Sequence, residues 1–233
     1  MVRAVVIPAA GRGTRLAQKT RQVLPKALLP VGGRPLLHWT LEALRDLGVT
    51  RIWVVTGAHR APFESLRHAY GVDLIHHARW ERGNGDTLRV GLEAAFQEEE
   101  AVGVLMSDHL YAPMLLEDLV RGAHRGHLLW MDPHTEAVLD LEDAMKVRRR
   151  PPALSKTLPV YDGVDIGMFR LERDILPFFR KVQAQGRFGI ADALEAAFQA
   201  GRLHLRPVPA PGLWLDVDTP AMLEAAEAWV RRF

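Results

Sequence analysis

The first 108 residues alternate between short apolar runs and longer segments with helical periodicity. The apolar runs cover residues 4–9, 51–57, 72–78 and 101–108, and the helical segments cover 35–48, 61–71 and 86–100. An apolar run without polar alternation is typical of a strand that is buried on both faces. This βαβα order predicts an α/β fold of the Rossmann-like, doubly wound type, in which ligands bind at the carboxyl ends of the strands.

The second half of the chain has a less regular order of elements. Predicted strands cover 127–131, 136–141, 163–171, 202–208 and 212–217, and predicted helices cover 173–186, 190–201 and 220–233. These looser connections favour a mixed, mostly parallel sheet with a small additional lobe. We therefore predict a single domain over 1–233, with one half at about 1–125 and a lobe mainly at 130–200.

The composition is that of an ordinary globular protein and excludes several classes of function. The formal net charge is only +2, so we expect no nucleic-acid partner. The absence of cysteine excludes disulfides, thiolate catalysis and Cys-based metal sites. No apolar run reaches the roughly 20 residues that span a bilayer, and the N-terminus lacks the features of a signal peptide. We expect a cytoplasmic protein that is not itself embedded in a membrane.

Residues 5–37, "VVIPAAGRGTRLAQKTRQVLPKALLPVGGRPLL", place several basic residues between two apolar segments. The glycine-rich turn after the first strand predicts backbone amides that converge on an anion, and Arg12 and Arg15 add forked donors. The pair Pro25-Lys26 brings a further charge back toward the same anion. Glycines, two arginines and a lysine suit a triphosphate better than a single phosphate. Taken alone, the turn is equally consistent with a simple strand exit.

Two common phosphate-binding motifs do not fit this segment. A Walker loop needs Ser or Thr after its lysine, and Lys26 is followed by Ala27. A dinucleotide fingerprint needs a third glycine at position 16, where Leu16 stands. Leu16 and the otherwise unexplained Pro25-Lys26 therefore disfavour a nicotinamide-dependent oxidoreductase.

The motif "PAAGRGTRL" followed by "LPKALLPVGGRPLL" resembles the signature of the nucleotidyltransferases that join an NTP to a phosphorylated sugar or alcohol and release pyrophosphate. The resemblance implies that Arg15 neutralises the β and γ phosphates and that Lys26 contacts the transferring phosphate, both as catalytic residues with Asp108. It also implies that the loop wraps the triphosphate through Ala9, Ala10, Gly11, Arg12, Gly13 and Thr14.

Four more segments narrow the resemblance over essentially the whole chain. "RGNGDTL" (82–88), "MSDHLY" (106–111), "YDGVDIGMF" (161–169) and "LWLDVDT" (213–219) are similar to the inositol-1-phosphate cytidylyltransferases. The resemblance implies that CTP and inositol 1-phosphate yield CDP-inositol and pyrophosphate. The half at 1–125 would then bind nucleotide, with Gly83 and Asn84 near the base, and the lobe would bind the acceptor.

In many relatives of that family the domain is fused to a membrane-embedded CDP-alcohol transferase. The present sequence contains no such segment. We therefore expect a separate membrane CDP-alcohol transferase as the downstream partner.

Carboxylates at two strand ends predict a Mg²⁺ site. Mg²⁺ prefers hard oxygen ligands and usually takes one or two carboxylates together with phosphates and waters. By match to the family, Asp108 and Asp216 are the metal ligands. An N-cap or turn aspartate is the alternative for Asp108. Asp218 is a further candidate that could instead serve the open amides of the helix beginning at Pro220.

The resemblance also assigns acceptor contacts in the second half. Lys156 matches a lysine that contacts the acceptor phosphate, although a solvated loop lysine is as consistent with the sequence alone. Asp165 and Asp192 match positions that hold acceptor hydroxyls, and Asp192 could instead stabilise the first turn of a helix. Arg148–Arg150 is interpreted as a solvated hairpin turn. The histidines show no metal-binding spacing with supporting carboxylates.

Other functions remain open on the sequence alone. The nearest alternatives are a sugar-1-phosphate uridylyltransferase or thymidylyltransferase and a phosphocholine-type cytidylyltransferase. A non-enzymatic alternative is a nucleotide-sensing subunit, which would have no need of Lys26, Asp108 and Asp216 together.

Overall fold

The computed structural model describes residues 1–11 and 24–232. Its strands are β1 (Ala4–Ala9), β2 (Pro30–Val31), β3 (Arg34–Pro35), β4 (Arg51–Thr56), β5 (Asp73–His76), β6 (Ala101–Leu105), β7 (His109–Tyr111), β8 (His127–Asp132), β9 (Lys146–Arg148), β10 (Ala153–Ser155), β11 (Gly163–Glu172), β12 (Leu203–Pro207) and β13 (Trp214–Asp216). Its α-helices are α1 (Leu36–Asp46), α2 (Glu64–Tyr70), α3 (Asn84–Ala95), α4 (Pro113–Arg121), α5 (Leu176–Ala184), α6 (Ile190–Gln199) and α7 (Pro220–Trp229).

One large mixed sheet organises the molecule. Strands β6, β1, β4 and β5 lie side by side and run parallel, as the βαβα pattern predicts. β11 pairs antiparallel with β6 and extends the sheet, on its other side, to β8 and β12 and to the β9–β10 hairpin. The prediction of an α/β fold with a mixed sheet is confirmed, and the observed sheet is partly parallel. The carboxyl ends of β1 and β6 therefore meet at one edge.

The parallel strands are buried because both faces of the sheet are covered. Val5 and Ile7 of β1 point into one apolar cluster, where they meet Leu37, Leu41 and Leu44 of α1. The alternate residues Ala4 and Val6 point into a second cluster, which includes Leu88, Leu92 and Phe96 on the opposite side. This two-sided burial explains why these strands are apolar at every position rather than at every second one.

Several predicted elements differ from the structure. The predicted strand at 136–141 is wrong: Thr135–Ala137 forms a 3-10 turn, and the apolar Leu139 is 60% exposed, so no core face holds the segment extended. The predicted strand at 101–108 ends early, at Leu105, where the chain turns toward β7.

Helix α4 has no counterpart among the predicted elements. It begins with Pro113 at its first turn and buries Leu115, Leu116, Leu119 and Val120. Arg148–Arg150 does lie at a hairpin turn, between β9 and β10, as predicted. No helix in the described ranges is long and apolar enough to cross a membrane.

A short two-stranded sheet outside the main one completes the edge where β6 ends. β13 pairs antiparallel with β7, with Asp216 opposite His109. A small apolar cluster behind this pair, which includes Leu110, Val217 and Trp229, anchors it to helix α7. The pairing brings the last part of the chain to the carboxyl end of β6.

Candidate active site

One lysine and three aspartates form the polar centre of the sheet edge. Lys26 Nζ lies 2.8 Å from Asp108 Oδ2 and 3.6 Å from Asp216 Oδ1, and it also donates a hydrogen bond to Asp218. The four side chains are only 12–25% exposed. We call these four residues the acidic cluster. It holds more carboxylates than the single ammonium can neutralise, so it is suited to a further cation.

The fold brings these residues together from three separate segments. Lys26 opens the 3-10 turn Lys26–Leu28, which follows Pro25. Asp108 lies in the turn between β6 and β7, and its carbonyl accepts a hydrogen bond from Val217 N at 3.0 Å. Val217 lies between Asp216 and Asp218 in the sequence, so this hydrogen bond holds both carboxylates close to Asp108.

His109 joins this group, although no function was assigned to it from the sequence. Its Nδ1 lies 2.8 Å from Asp108 Oδ1 and 3.7 Å from Asp216 Oδ1. Its ring stacks against Tyr111 at 5.9 Å and Trp214 at 5.8 Å between centroids. The search for metal-binding spacing around the histidines missed it, because Asp216 lies more than 100 residues away in the sequence. Only the β7–β13 pairing places Asp216 beside His109.

The electrostatics of the site favour charged side chains. Burial would raise the pKa of Asp108, but the Lys26 ammonium and the hydrogen bond with His109 outweigh burial and hold this pKa far below its usual range. Burial would lower the pKa of His109, but Asp216 and Asp108 outweigh it and raise this pKa. Asp108 is therefore a carboxylate at neutral pH, as a cation ligand must be.

Two cavities meet at the acidic cluster. The strand-end cavity, of about 390 Å³, is lined by Pro8, Ala9, Ala10, Gly11, Pro25, Lys26, Ala27, Trp80, Glu81, Gly83, Asn84, Thr87, Met106, Ser107, Asp108 and Asp218. The lobe cavity, of about 340 Å³, is lined on its far side by Val138, Asp140, Asp143, Lys156, Asp165 and Ile190, among others. Asn84, Met106, Asp108 and Asp218 line both cavities. Two ligands could therefore meet at Asp108.

The predicted nucleotide contacts fall in two groups. Ala9, Ala10 and Gly11 line the strand-end cavity where β1 ends, with Gly83 and Asn84 in the same wall. The remaining predicted residues of the loop lie outside the described residues, and these are Arg12, Gly13, Thr14 and Arg15.

The "GNG" turn at 83–85 also packs against the other half of the molecule. A Cβ on Gly85 would lie 2.5 Å from Gly189 O, so only glycine permits this approach. Asn84 Oδ1 accepts a hydrogen bond from Ile190 N at 2.9 Å, at the start of α6. The turn therefore connects the wall of the strand-end cavity to the element that borders the lobe cavity.

A buried ionic group supports the same wall. Asp86 is fully buried in the first turn of α3 and accepts a hydrogen bond from Arg89 Nη2 at 2.8 Å. Burial would raise the pKa of Asp86, but the hydrogen bond and charge of Arg89 lower it. His77 Nε2 lies 3.2 Å from the other carboxylate oxygen. These contacts fix the helix that carries Asn84.

The three predicted acceptor residues occupy different places. Lys156 lines the lobe cavity and pairs with Asp143 Oδ1 at 2.6 Å. Asp165 lines the same cavity and accepts a hydrogen bond from Gly167 N at 2.8 Å, and burial raises its pKa to about 7. Asp192 is not among the described residues that line either cavity. It accepts a hydrogen bond from Gly189 N at 2.8 Å, in the first turn of α6.

The sequence leaves open whether Asp218 binds a metal ion or caps helix α7, and the residues at the start of α7 distinguish these two roles. Thr219 is the N-cap, since its Oγ1 accepts a hydrogen bond from Met222 N at 3.2 Å and Pro220 occupies the first turn. The Asp218 carboxylate instead contacts Lys26. Asp218 thus belongs to the acidic cluster rather than to the helix cap.

The two carboxylates of this site, Asp108 and Asp216, fit a magnesium ion, which prefers oxygen ligands to the imidazole of His109. Asp108, His109 and Asp216 each offer one ligand atom, and these atoms lie within 4.8 Å of one another. Asp216 Oδ1 is buried, and no described residue donates a hydrogen bond to it. A buried carboxylate oxygen without a donor is costly, and a hard cation would satisfy it.

Comparisons with known proteins found relatives in sequence and in fold. The chain is 30% identical to the bifunctional IPC transferase and DIPP synthase of Thermococcus kodakarensis over 97% of this chain and 50% of that protein. It is 36% identical to the choline-phosphate cytidylyltransferase of Streptococcus pneumoniae over 78% of each chain. The inositol-1-phosphate CTP transferase of T. maritima has the same fold, with a TM-score of 0.84, 20% identity and coverage of 99% of this chain and 96% of that one.

The α/β fold with its site at the strand ends, together with these relatives, defines an enzyme class: the chain is a nucleotidyltransferase. Residues 5–140 match the model of the MobA-like NTP transferase domain, and the chain belongs to that family. Members of the family typically use Mg²⁺. The chain spans about half the length of the bifunctional relatives that it matches.

Proposed function

We propose that this nucleotidyltransferase condenses CTP with inositol 1-phosphate to give CDP-inositol and pyrophosphate in a Mg²⁺-dependent reaction. The relatives that match nearly the whole chain are bifunctional IPC transferases and DIPP synthases, and the fold matches an inositol-1-phosphate CTP transferase. These relatives support the choice of CTP and inositol 1-phosphate as substrates, and the residues of the site support nucleotidyl transfer as the type of reaction.

The observation that carries the proposal is the position of the acidic cluster between two cavities. The strand-end cavity lies at the carboxyl end of β1 and is bordered by Lys26, whose positive charge suits a nucleoside triphosphate. The lobe cavity holds a lysine and several carboxylates, which suit a phosphorylated polyol. Asp108 lines both cavities, so reacting groups in each would meet beside it.

The reaction needs little proton transfer. The second pKa of a phosphate monoester is about 6, so the acceptor phosphate is largely a dianion near neutral pH. One of its oxygens attacks the α-phosphorus of CTP, a new P–O bond forms, and the bond to the β-phosphate breaks to release pyrophosphate. The difficulty is the repulsion between two anions. The Lys26 ammonium lines the strand-end cavity and lies 2.8 Å from Asp108, which lines both cavities, so it would offset that repulsion.

Asp108 and Asp216 would hold the Mg²⁺ ion, with Asp218 as a third oxygen donor beside them. A bound Mg²⁺ would stabilise negative charge on the reacting phosphates. Before the ion binds, Lys26 partly neutralises the same carboxylates. We also propose that Arg15 and Arg12 stabilise the leaving pyrophosphate.

The acceptor would be held by the far wall of the lobe cavity. Lys156 would contact its phosphate and Asp165 its hydroxyl groups. Asp192 would act at a distance, because its carboxylate holds the backbone of Gly189, which borders the cavity.

A second candidate acceptor is phosphocholine. The relative from Streptococcus pneumoniae, which matches 78% of this chain, is a choline-phosphate cytidylyltransferase. A trimethylammonium group favours aromatic faces. In the lobe cavity the ring of Trp214 stacks on His109, and Asp140, Asp143 and Asp165 offer oxygens suited to hydroxyl groups. Carboxylates bind hydroxyl groups and cations alike, so the choice of the polyol rests on the relatives that match nearly the whole chain.

The test is pyrophosphate release from each of four NTPs with inositol 1-phosphate, phosphocholine and glucose 1-phosphate, with and without Mg²⁺. We expect release with CTP and inositol 1-phosphate, and only with the metal. Faster release with phosphocholine would favour the second candidate. Release from no pair would contradict the enzymatic proposal and favour a nucleotide-sensing subunit.

The product implies a later reaction. CDP-inositol is an activated alcohol phosphate, so an enzyme that transfers its phosphoinositol group to another alcohol would consume it. The relatives that carry DIPP synthase in the same chain support this step. We propose a membrane-embedded CDP-alcohol transferase as that partner.

A further inference from the structure

Lys146 is a buried lysine that has no role in the reaction described above. Its side chain is 8% exposed, at the start of β9. Among the described residues four backbone carbonyl oxygens lie within hydrogen-bonding distance of its ammonium and share its three N–H groups: Leu141 at 2.8 Å, Glu142 at 3.1 Å, Ala144 at 3.4 Å and Lys156 at 2.7 Å. Burying a long cationic side chain among main-chain groups is uncommon, which suggests a specific use.

The four carbonyls belong to two segments that face each other across the lobe cavity wall. Leu141, Glu142 and Ala144 surround Asp143, and the fourth carbonyl is that of Lys156 itself. Asp143 and Lys156 form the ion pair of this cavity, at 2.6 Å. Lys146 therefore fixes the backbone on both sides of that pair.

A third segment is tied to the same point. Lys146 lies opposite Ser155 in β10 and opposite Val164 in β11. The carbonyl of the preceding residue, Met145, accepts a hydrogen bond from Asp165 N at 2.8 Å. The strand that carries Lys146 thus touches every segment that brings Asp143, Lys156 and Asp165 to the lobe cavity.

We propose that Lys146 is a positioning residue that assembles the acceptor side of the site by gathering these carbonyls around its ammonium. This inference rests on the proposed function for its activity readout. Only a lysine presents three rotatable N–H donors at the end of a flexible stem, as a set of converging carbonyls requires. Without it, the segment at 138–145, which contains no α-helix or strand, would lose its link to the backbone of Lys156 and keep only the partly exposed Asp143–Lys156 ion pair.

The test compares K146M, which keeps the length of the side chain and removes its donors, with K146Q, which keeps two donors. K181M, on the exposed face of α5, is the matched lysine control. We expect the KM for inositol 1-phosphate to rise by about tenfold or more in K146M and by less in K146Q. The KM for CTP should stay within about twofold of the wild-type value, and K181M should change neither.

Hydrogen–deuterium exchange provides a readout that does not depend on turnover. We expect faster exchange at 138–145 and 155–158 in K146M, with unchanged exchange at 80–95. Unchanged exchange at 138–145, or equal rises in both KM values with faster exchange throughout, would overturn the proposal. Wild-type enzyme that uses no acceptor would contradict the proposed function instead, and the exchange data would still decide the role of Lys146.

Discussion

The acidic cluster sets one ammonium against three carboxylates in a site that excludes most water. Lys26 is 12% exposed and contacts Asp108, Asp216 and Asp218 at once. A lysine in this position shares its partners with any divalent cation that binds the same oxygens. When nucleotide binds, we expect the ammonium to turn from the carboxylates to a phosphate in the same cavity. The mixture of charges in the acidic cluster is therefore what a site for both a cation and a phosphate needs.

D108N tests the central carboxylate. The amide keeps the shape of the side chain but removes the negative charge that would hold Mg²⁺, so we expect kcat to fall by about 10² or more. Steady-state pyrophosphate release measures this fall, and thermal unfolding checks that the fold is intact. E224Q makes the same chemical change on the exposed surface of α7 and should leave kcat unchanged. Near-normal turnover in D108N would contradict the assignment.

Asp165 gives a prediction about pH. Burial raises its pKa from 3.8 to about 7, so the folded protein holds a proton that the unfolded chain releases near pH 4. The contribution of Asp165 to the free energy of unfolding is therefore fully present below pH 4. It decreases by roughly 3–4 kcal/mol as the pH rises to 7.

D165N removes the titration while its side-chain oxygen can still accept the hydrogen bond from Gly167 N. The difference in unfolding free energy between D165N and wild type should move in favour of D165N from pH 4 to pH 7. Denaturant unfolding at several pH values measures it. A difference that does not change with pH would show that Asp165 titrates normally.

At the scale of elements, the site depends on the short β7–β13 pair and on the helix that follows it. β13 places Asp216 opposite His109, and Asp218 lies two residues farther on, directly before the cap of α7. The cap and the apolar cluster around Trp229 hold this end of the chain in place. The geometry of the carboxylates thus relies on a helix terminus.

T219A removes the side-chain cap of α7 and should lower the unfolding free energy by about 1 kcal/mol. For a chain of this length that corresponds to a decrease in Tm of roughly 2–4 °C. T219S keeps the hydroxyl and serves as the control. Calorimetry that finds T219A as stable as T219S would show that the cap contributes little.

The elements also show what a sequence can and cannot predict. The parallel strands were predictable because burial on both faces makes them apolar throughout, as in β1 and β4. The turn of the β9–β10 hairpin was predicted at Arg148–Arg150, but its two strands were not, because the segment around Arg148 is polar and is held by pairing with β11. The segment at 136–141 misled the prediction, since its apolar run at 137–139 suits a strand but no core face receives it.

The candidate site divides in the same way. Lys26, Asp108 and Asp216 were named from motifs, and the structure brings them together. His109 and Lys146 were not, because their partners come from strand pairing and from backbone carbonyls that no side-chain pattern records. Motifs thus reveal groups that act on ligands, whereas groups that position them emerge only with the fold.

The whole molecule joins two cavities through one mixed sheet. The parallel strands end at the strand-end cavity, and the antiparallel extension through β11 carries the lobe cavity. Asn84, which lines both cavities, also accepts a hydrogen bond from the backbone amide of Ile190. The two substrates of a transfer reaction would therefore bind to one connected framework.

The most direct measurement of the central claim is ³¹P NMR of CTP, inositol 1-phosphate and Mg²⁺ with the wild-type protein and with D108N. With the wild type, we expect the monoester signal and the CTP signals to decrease together while a diphosphodiester and pyrophosphate appear in equal amounts. D108N should leave the starting signals in place over the same time. Unchanged signals with the wild type, or CDP and inorganic phosphate as the products, would contradict the account.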